Sequence, residues 1–115
     1  LQLFIATNKR EKPTRLLLEH LQWTSHFKGV YCLDSTQPAA ADKGELLALL
    51  LKEEGQASET AIYVGDTLGD EQAATENCLR FYRASWGYGI WPQNESSAIL
   101  HKLSDLCDVL KIKQP

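Results

Sequence analysis

The sequence has no methionine, not even at position 1, and only three cysteines in 115 residues. The missing methionine sets the expectation that the chain is an excised, processed or trimmed piece of something longer. Cys32, Cys78 and Cys107 are odd in number, widely spaced and without a CxxC pair. That pattern argues against a disulfide framework and against a zinc site, and it points to reduced thiols in a cytoplasmic protein. Long apolar runs are lacking too. The longest, Leu46–Leu51, is followed directly by Lys52-Glu53-Glu54, far short of the ~20 residues that cross a bilayer. The opening Leu1-Gln2-Leu3-Phe4-Ile5 has neither a basic flank nor a small-residue cleavage site, so it does not read as a signal peptide. Nor is there an excess of basic charge. Twelve Lys and Arg face fifteen Asp and Glu, for a formal net charge of −3, which gives no general pull toward nucleic acid or an anionic membrane.

What is present is the composition of an ordinary globular protein, 43% hydrophobic and 23% charged, in a length that suits one domain spanning residues 1–115. Leu1–Ala6 is an apolar, β-type run that reads as a buried strand delivering Thr7 to its end. Pro13 suits a helix first turn, and Leu16, Leu17, Leu18 and Leu21 give that helix an apolar face. Residues 29–33 read as a second strand ending at Asp34, and residues 35–42 as a loop. A helix from Lys43 to Glu54 is stopped by Gly55. Ala61-Ile62-Tyr63-Val64 is a third strand, a helix runs from about Asp70 to Asn77, and residues 79–84 form a fourth strand. Trp86 to Pro92 is an aromatic loop punctuated by glycine. Asn94 or Ser96 is expected to cap a last helix reaching about Leu110, with a fraying tail beyond it. Strands separated by single helices imply right-handed crossovers. The expected fold is therefore α/β: a Rossmann-like three-layer α/β/α sandwich with a mostly parallel sheet.

In such sheets ligands bind beyond the carboxyl ends of the strands. Thr7-Asn8-Lys9 lies at one such end, Gly65-Asp66 followed by Asp70 at another, and Lys43 opens the helix before the third strand. Asp66 and Asp70 are hard oxygen ligands of the type Mg²⁺ prefers. One would bind the metal while the other holds its water shell. The Thr7 hydroxyl and the Asn8 N–H can donate to phosphoryl oxygens, and Lys43 adds a full charge to the positive end of its helix. Phosphoryl transfer needs that kind of charge neutralisation.

Together these residues resemble the haloacid dehalogenase-like phosphatases. Ile5-Ala6-Thr7-Asn8-Lys9 is similar to the family's second motif, Lys43 to its third, and Val64-Gly65-Asp66-Thr67-Leu68-Gly69-Asp70 to its fourth, GDxxxD. Trp86-Gly87-Tyr88-Gly89 resembles a loop of the phosphoglycolate phosphatase-like branch. The resemblance covers about residues 1 to 110 and implies Mg²⁺-dependent hydrolysis of a small phosphate monoester. Thr7, Asn8 and Lys43 would hold the phosphoryl group, with Thr7 and Lys43 catalytic, and Asp66 and Asp70 would hold the metal.

One part of the pattern is missing. The family's first motif, DxDx(T/V), carries the nucleophile and the general acid/base. The six Asp here are 34, 42, 66, 70, 105 and 108, and no two are separated by a single residue. The helical cap expected between the first two motifs is absent as well. Covalent catalysis needs a carboxylate in line with phosphorus, so this chain alone is expected to be inactive and to bind Mg²⁺ weakly. In the family the missing strand is central, between the strand ending at Thr7 and the one ending at Asp66. Its loss would leave a slot of roughly 9.6 Å at ~4.8 Å per strand spacing. Two unpaired edges cannot face a void. Three outcomes are open: the first and third strands pair directly; another chain supplies a strand, as a second copy exchanging strands in a homodimer or as a segment bearing the first motif; or the missing N-terminal piece is simply not in this sequence. The last is the expectation for the native protein, with direct pairing or strand exchange expected for the chain as given.

Plainer readings stand beside these. Thr7-Asn8 alone suits a turn or helix cap, Lys43 a solvated helix start, and Asp66 with Asp70 an N-cap and a first-turn carboxylate. Trp86, Tyr88 and Trp91 suit packing or a substrate-side loop. His20, His26 and His101 have no assigned role, and the three cysteines read as small buried residues. The competing class is a truncated or degenerate domain that binds a partner chain or a phosphate ligand without turnover. A receiver-like signalling domain is disfavoured, because it needs a phosphoacceptor Asp at a strand end with its acidic pair upstream.

Overall fold

Alternating strands and helices appear in the computed structural model, which describes residues 1–87, 89–91 and 98–110. In chain order they are β1 (Phe4–Thr7), α1 (Glu11–His20), β2 (Gly29–Cys32), α2 (Lys43–Glu53), β3 (Ile62–Gly65), α3 (Leu68–Glu76), β4 (Arg80–Ala84), β5 (Ala98–Leu100) and α4 (Asp105–Leu110), with short 3₁₀ turns between some of them. Every strand pair is parallel. The chain divides into two compact units, Leu1–Gly55 and Gln56–Pro115. The strands form two sheets, β1-β2 and β3-β4-β5. Within the first unit β1 pairs with β2, and within the second β3 pairs with β4. Each of these strands meets its partner through an intervening helix, the crossover that parallel neighbours require.

In the first unit β1 lies in register with β2, from Phe4 opposite Gly29 to Thr7 opposite Cys32. The core beside them is Tyr31, Ala40, Leu46 and Leu50, with Phe4, Ala6 and Leu33 packed against it. The strand is shorter and less buried than its apolar sequence suggests. Leu1 is 84% exposed and Leu3 is exposed as well, because pairing with β2 begins only at Phe4. The apolar face of α1 is also narrower than expected. Thr14 and Leu18 are buried, whereas Leu16, Leu17 and Leu21 are exposed. At roughly 100° per residue, Leu17 and Leu16 point about 100° and 200° away from Leu18. As the sequence indicates, α2 ends before Gly55, which takes a left-handed φ of +64°.

The end of α2 is tied back to β2. The Tyr31 hydroxyl donates to Glu54 Oε2 at 2.8 Å, and Lys28 Nζ lies 3.1 Å from Glu54 Oε1. The Tyr31 bond, followed by Lys28, holds the Glu54 carboxyl below its ordinary value of 4.5. Burial, and then its bond to Glu54, pushes the Tyr31 phenol up. A depressed carboxyl pKa contributes stability that is full above the unfolded value and is lost as pH falls through the folded one. Wild type should therefore melt above Glu54→Gln at pH 7. The gap should begin to close near pH 4.5 and vanish below the depressed pKa. Paired thermal melts across pH 3–7 measure it, and a gap that does not depend on pH would contradict the assignment.

In the second unit, β4 is the middle strand of β3-β4-β5. The sequence reading missed β5 and extended the last helix too far back. Residues 98–100 pair with Tyr82–Ala84, and the helix covers only Asp105–Leu110. The three-residue Ala98-Ile99-Leu100 run is too short to show a period. The Asn94 or Ser96 cap, Tyr88 and the tail 111–115 lie outside the described residues. Of the cysteines expected to be buried, Cys32 is, Cys107 is half-buried, and Cys78 is exposed at the left-handed turn that ends α3.

Candidate functional site

The loop after β3 is built around one buried carboxylate. Asp70 is 6% exposed. Its Oδ2 accepts from the backbone N–H of Asp66 at 3.1 Å and of Thr67 at 3.2 Å, while its own N–H donates to Thr67 Oγ1 at 3.0 Å. This is a reciprocal capping box, with Thr67 as N-cap and Asp70 three residues on. The helix thus starts at Leu68, two residues earlier than the sequence suggests, and Thr67 rather than Asp66 caps it. Gly65 is required for a steric reason. A Cβ there would stand 2.6 Å from Asp70 Cβ and 2.7 Å from Oδ2. The spacing in GDxxxD therefore folds the second carboxylate over the strand end, while half-buried Asp66 sits just beyond it. Burial, and then the nearby Asp70 and Asp66 charges, raise the Tyr63 phenol on β3, so Tyr63 stays neutral there.

A second loop closes on the same point. A Cβ at Gly87 would overlap the Asp66 side chain, and one at Gly89 would overlap the Asp66 carbonyl. Trp91 Nε1 donates to that carbonyl oxygen at 3.1 Å. The indole lies 6.1 Å from the Phe81 ring, with the Arg83 guanidinium 4.8 Å from its centroid. Phe81 in turn lies 6.2 Å from Tyr63. Sequence reasoning singled out the glycines of this loop and gave Trp91 no specific part. The two-residue spacing of Gly87 and Gly89 was the available signal for a close backbone approach. Trp86 is exposed.

In the first unit, Thr7 and Asn8 lie at the carboxyl end of β1, and Lys43 opens α2. Thr7 is the last residue of β1, and Asn8 follows it, exposed. Thr7 Oγ1 accepts from the Lys9 N–H at 3.2 Å, a local turn bond that leaves the hydroxyl's own proton for another acceptor. Thr7 does not cap α1. That helix is capped across the edge, where the Glu11 N–H donates to Asp34 Oδ1 at 2.8 Å. Half-buried Lys43 is the first residue of α2, behind the N-cap Asp42, whose carboxylate accepts from the Glu45 N–H at 2.9 Å. The Ala40 N–H donates to Leu33 O at 2.9 Å, which ties the approach to α2 to the end of β2. Leu33 directly follows Cys32, the residue that pairs with Thr7.

Thr7, Asn8 and Lys43 belong to the first unit, and Asp66 and Asp70 to the second. Among the described residues no group of three or more His, Cys, Asp or Glu gathers as a metal cage. The donor set at Asp66 and Asp70 still suits Mg²⁺, which is held by one or two carboxylates and keeps several waters. Asp70 Oδ2 accepts from two backbone N–H groups, so Asp70 orders this loop, and Asp66 and Asp70 are the carboxylates that could hold such an ion.

The sequence model for haloacid dehalogenase-like hydrolases matches residues 1–84. A 5'-nucleotidase of Pseudomonas aeruginosa is 29% identical over 112 residues, covering 96% of this chain and 49% of that protein. A haloacid dehalogenase-like hydrolase family protein of Streptococcus pneumoniae superposes with a TM-score of 0.81 at 26% identity, over 95% of this chain and 52% of the other. A protein of Haemophilus somnus described as a predicted phosphoglycolate phosphatase superposes with a TM-score of 0.82 at 20% identity, over 95% and 49%, and so shares the fold. The chain spans about half the length of these relatives. Parallel strands with flanking helices, the two motif-bearing loops and the family match agree: this chain belongs to the haloacid dehalogenase-like hydrolases and carries an incomplete α/β core of that family.

Proposed function

We propose that the chain is the phosphate- and magnesium-binding part of a phosphomonoester hydrolase core acting on a small phosphorylated metabolite of the phosphoglycolate type. The observation that carries this reading is the GDxxxD loop, in which the Asp70 carboxylate, buried and held by two backbone N–H groups, presents Asp66 beyond the end of β3. Thr7 and Asn8 bind the phosphoryl oxygens from the end of β1, and Lys43, at a helix start, neutralises their charge. Asp66 holds the metal, with Asp70 ordering it. Bound Mg²⁺ supplies charge neutralisation to the phosphoryl group. No helix among the described residues is long and apolar enough to cross a membrane. Free thiols at Cys32, Cys78 and Cys107 support placement in the reducing cytoplasm.

The 115-residue chain itself lacks any DxD pair, and with it the in-line nucleophile. It is accordingly an inactive half-core that gains activity from a segment bearing that motif, or a phosphate-binding domain without turnover. A homodimer formed by strand exchange is the other way its strands find partners. Pure chain assayed on phosphoglycolate and p-nitrophenyl phosphate with Mg²⁺ should show no hydrolysis above the no-enzyme rate. Robust Mg²⁺-dependent turnover would overturn the assignment of an inactive half-core.

A further inference from the structure

The peptide group that follows Asp66 is gripped at both of its polar ends. Its carbonyl oxygen accepts from Trp91 Nε1 at 3.1 Å, and its N–H, which belongs to Thr67, donates to Asp70 Oδ2 at 3.2 Å. The N–H of Asp66 itself donates to the same Asp70 oxygen at 3.1 Å. With the peptide groups on both sides of its Cα held, Asp66 has little backbone freedom, and the direction of its Cα–Cβ bond is set. The approach of the second loop depends on glycine. Any side chain at Gly89 would collide with the carbonyl that Trp91 reaches, and any at Gly87 with the Asp66 side chain. Trp91 is in turn fixed from its own sheet, with the Phe81 ring 6.1 Å away and the Arg83 guanidinium 4.8 Å from its centroid. Phe81 and Arg83 lie on β4, in register with Tyr63 and Gly65 of β3. The strand that neighbours β3 therefore carries the platform on which the indole rests.

We propose that Trp91 is a positioning residue for Asp66, its indole N–H holding the Asp66 carbonyl so that the carboxylate faces the metal. The metal part of this statement rests on the magnesium role given to Asp66 above; the clamp itself does not. An indole does this where an aliphatic residue cannot, since it offers one donor and no acceptor on a rigid, two-torsion frame. A half-buried carbonyl that loses its donor pays part of a desolvation cost, so the loop should loosen locally and not throughout the unit.

Trp91→Phe keeps a ring on the Phe81 and Arg83 platform and removes only the N–H. Amide exchange by ¹H–¹⁵N NMR should then quicken about tenfold at Thr67, the equivalent of one ordinary hydrogen bond. Exchange along β4 and the melting temperature should stay near wild type. Mn²⁺, used as the probe for Mg²⁺, should bind roughly three- to tenfold more weakly. Unchanged exchange at Thr67, or an equal rise across the whole unit, would overturn the clamp. Mn²⁺ affinity equal to that of a metal-binding wild type would overturn the positioning role. A wild type that binds no Mn²⁺ would sink the metal reading of Asp66, while the Thr67 exchange rate would still decide the clamp. If Trp91→Phe does not fold, the wild-type indole N–H decides: slow exchange supports the bond, and exchange at the rate of free indole refutes it.

Discussion

Asp70→Ala is expected to lower the unfolding free energy by about 3 kcal/mol, the scale of losing hydrogen bonds to a buried charged acceptor. The change strips the N–H groups of Asp66 and Thr67 of their shared acceptor and breaks the capping box at the start of α3. Asp70 is nearly sealed from solvent, so the two N–H groups do not simply pass to bulk water. Asp70→Asn keeps one carbonyl acceptor at the same place and should recover more than half of the loss. The two variants thus separate loss of charge from loss of the acceptor. Urea unfolding followed by circular dichroism measures both. Asp70→Ala within about 0.5 kcal/mol of wild type, the range of an ordinary surface substitution, would mean that the carboxylate does not organise this loop.

Leu46→Ala should cost about as much, roughly 3 kcal/mol, for a different reason. Leu46 is 0% exposed and sits in the cluster of Tyr31, Ala40 and Leu50 that Phe4, Ala6 and Leu33 complete. Truncation removes the transfer energy of three carbons and leaves a cavity that rigid neighbours fill only in part. A fall of roughly 10 °C in melting temperature goes with it. Leu46→Met, which nearly conserves volume, should cost under about 1.5 kcal/mol. Equal effects from the two substitutions would show that packing at this point is loose. Leu46 lies one turn from Lys43, the first residue of the same helix, so loosened packing there should also loosen the start of α2.

Legibility followed the length of the signal. Helix α2 reads directly from the sequence because its eleven residues carry a leucine-rich face, an Asp at the N-cap and a glycine beyond the end. The GDxxxD loop was legible as a glycine turn at a strand end leading into a helix, but not in its hydrogen bonds, since the sequence suggested Asp66 as the cap where the structure has Thr67. What the sequence hid lies in contacts between distant residues. Asp34 caps a helix that begins 23 residues before it, and no local pattern announces such a bond. Trp91 reaches a carbonyl 25 residues away, and its neighbours give it no period to belong to. Strand β5 has three residues and gains its identity only from β4. The apolar face of α1 misled for the opposite reason. Four leucines in six positions look like a core stripe, yet only the Thr14 and Leu18 line meets the protein.

The central claim gives Asp66 the metal and gives Thr7, Asn8 and Lys43 the phosphoryl group. Its most direct test is a titration of the ¹⁵N-labelled chain with Mn²⁺ and inorganic phosphate, read by amide broadening and shifts. The claim predicts that Gly65, Asp66 and Thr67 broaden first, and that phosphate shifts Thr7, Asn8 and Gly44. Broadening centred on Asp105 and Asp108 or on Glu53 and Glu54, with the loop after β3 untouched, would contradict it.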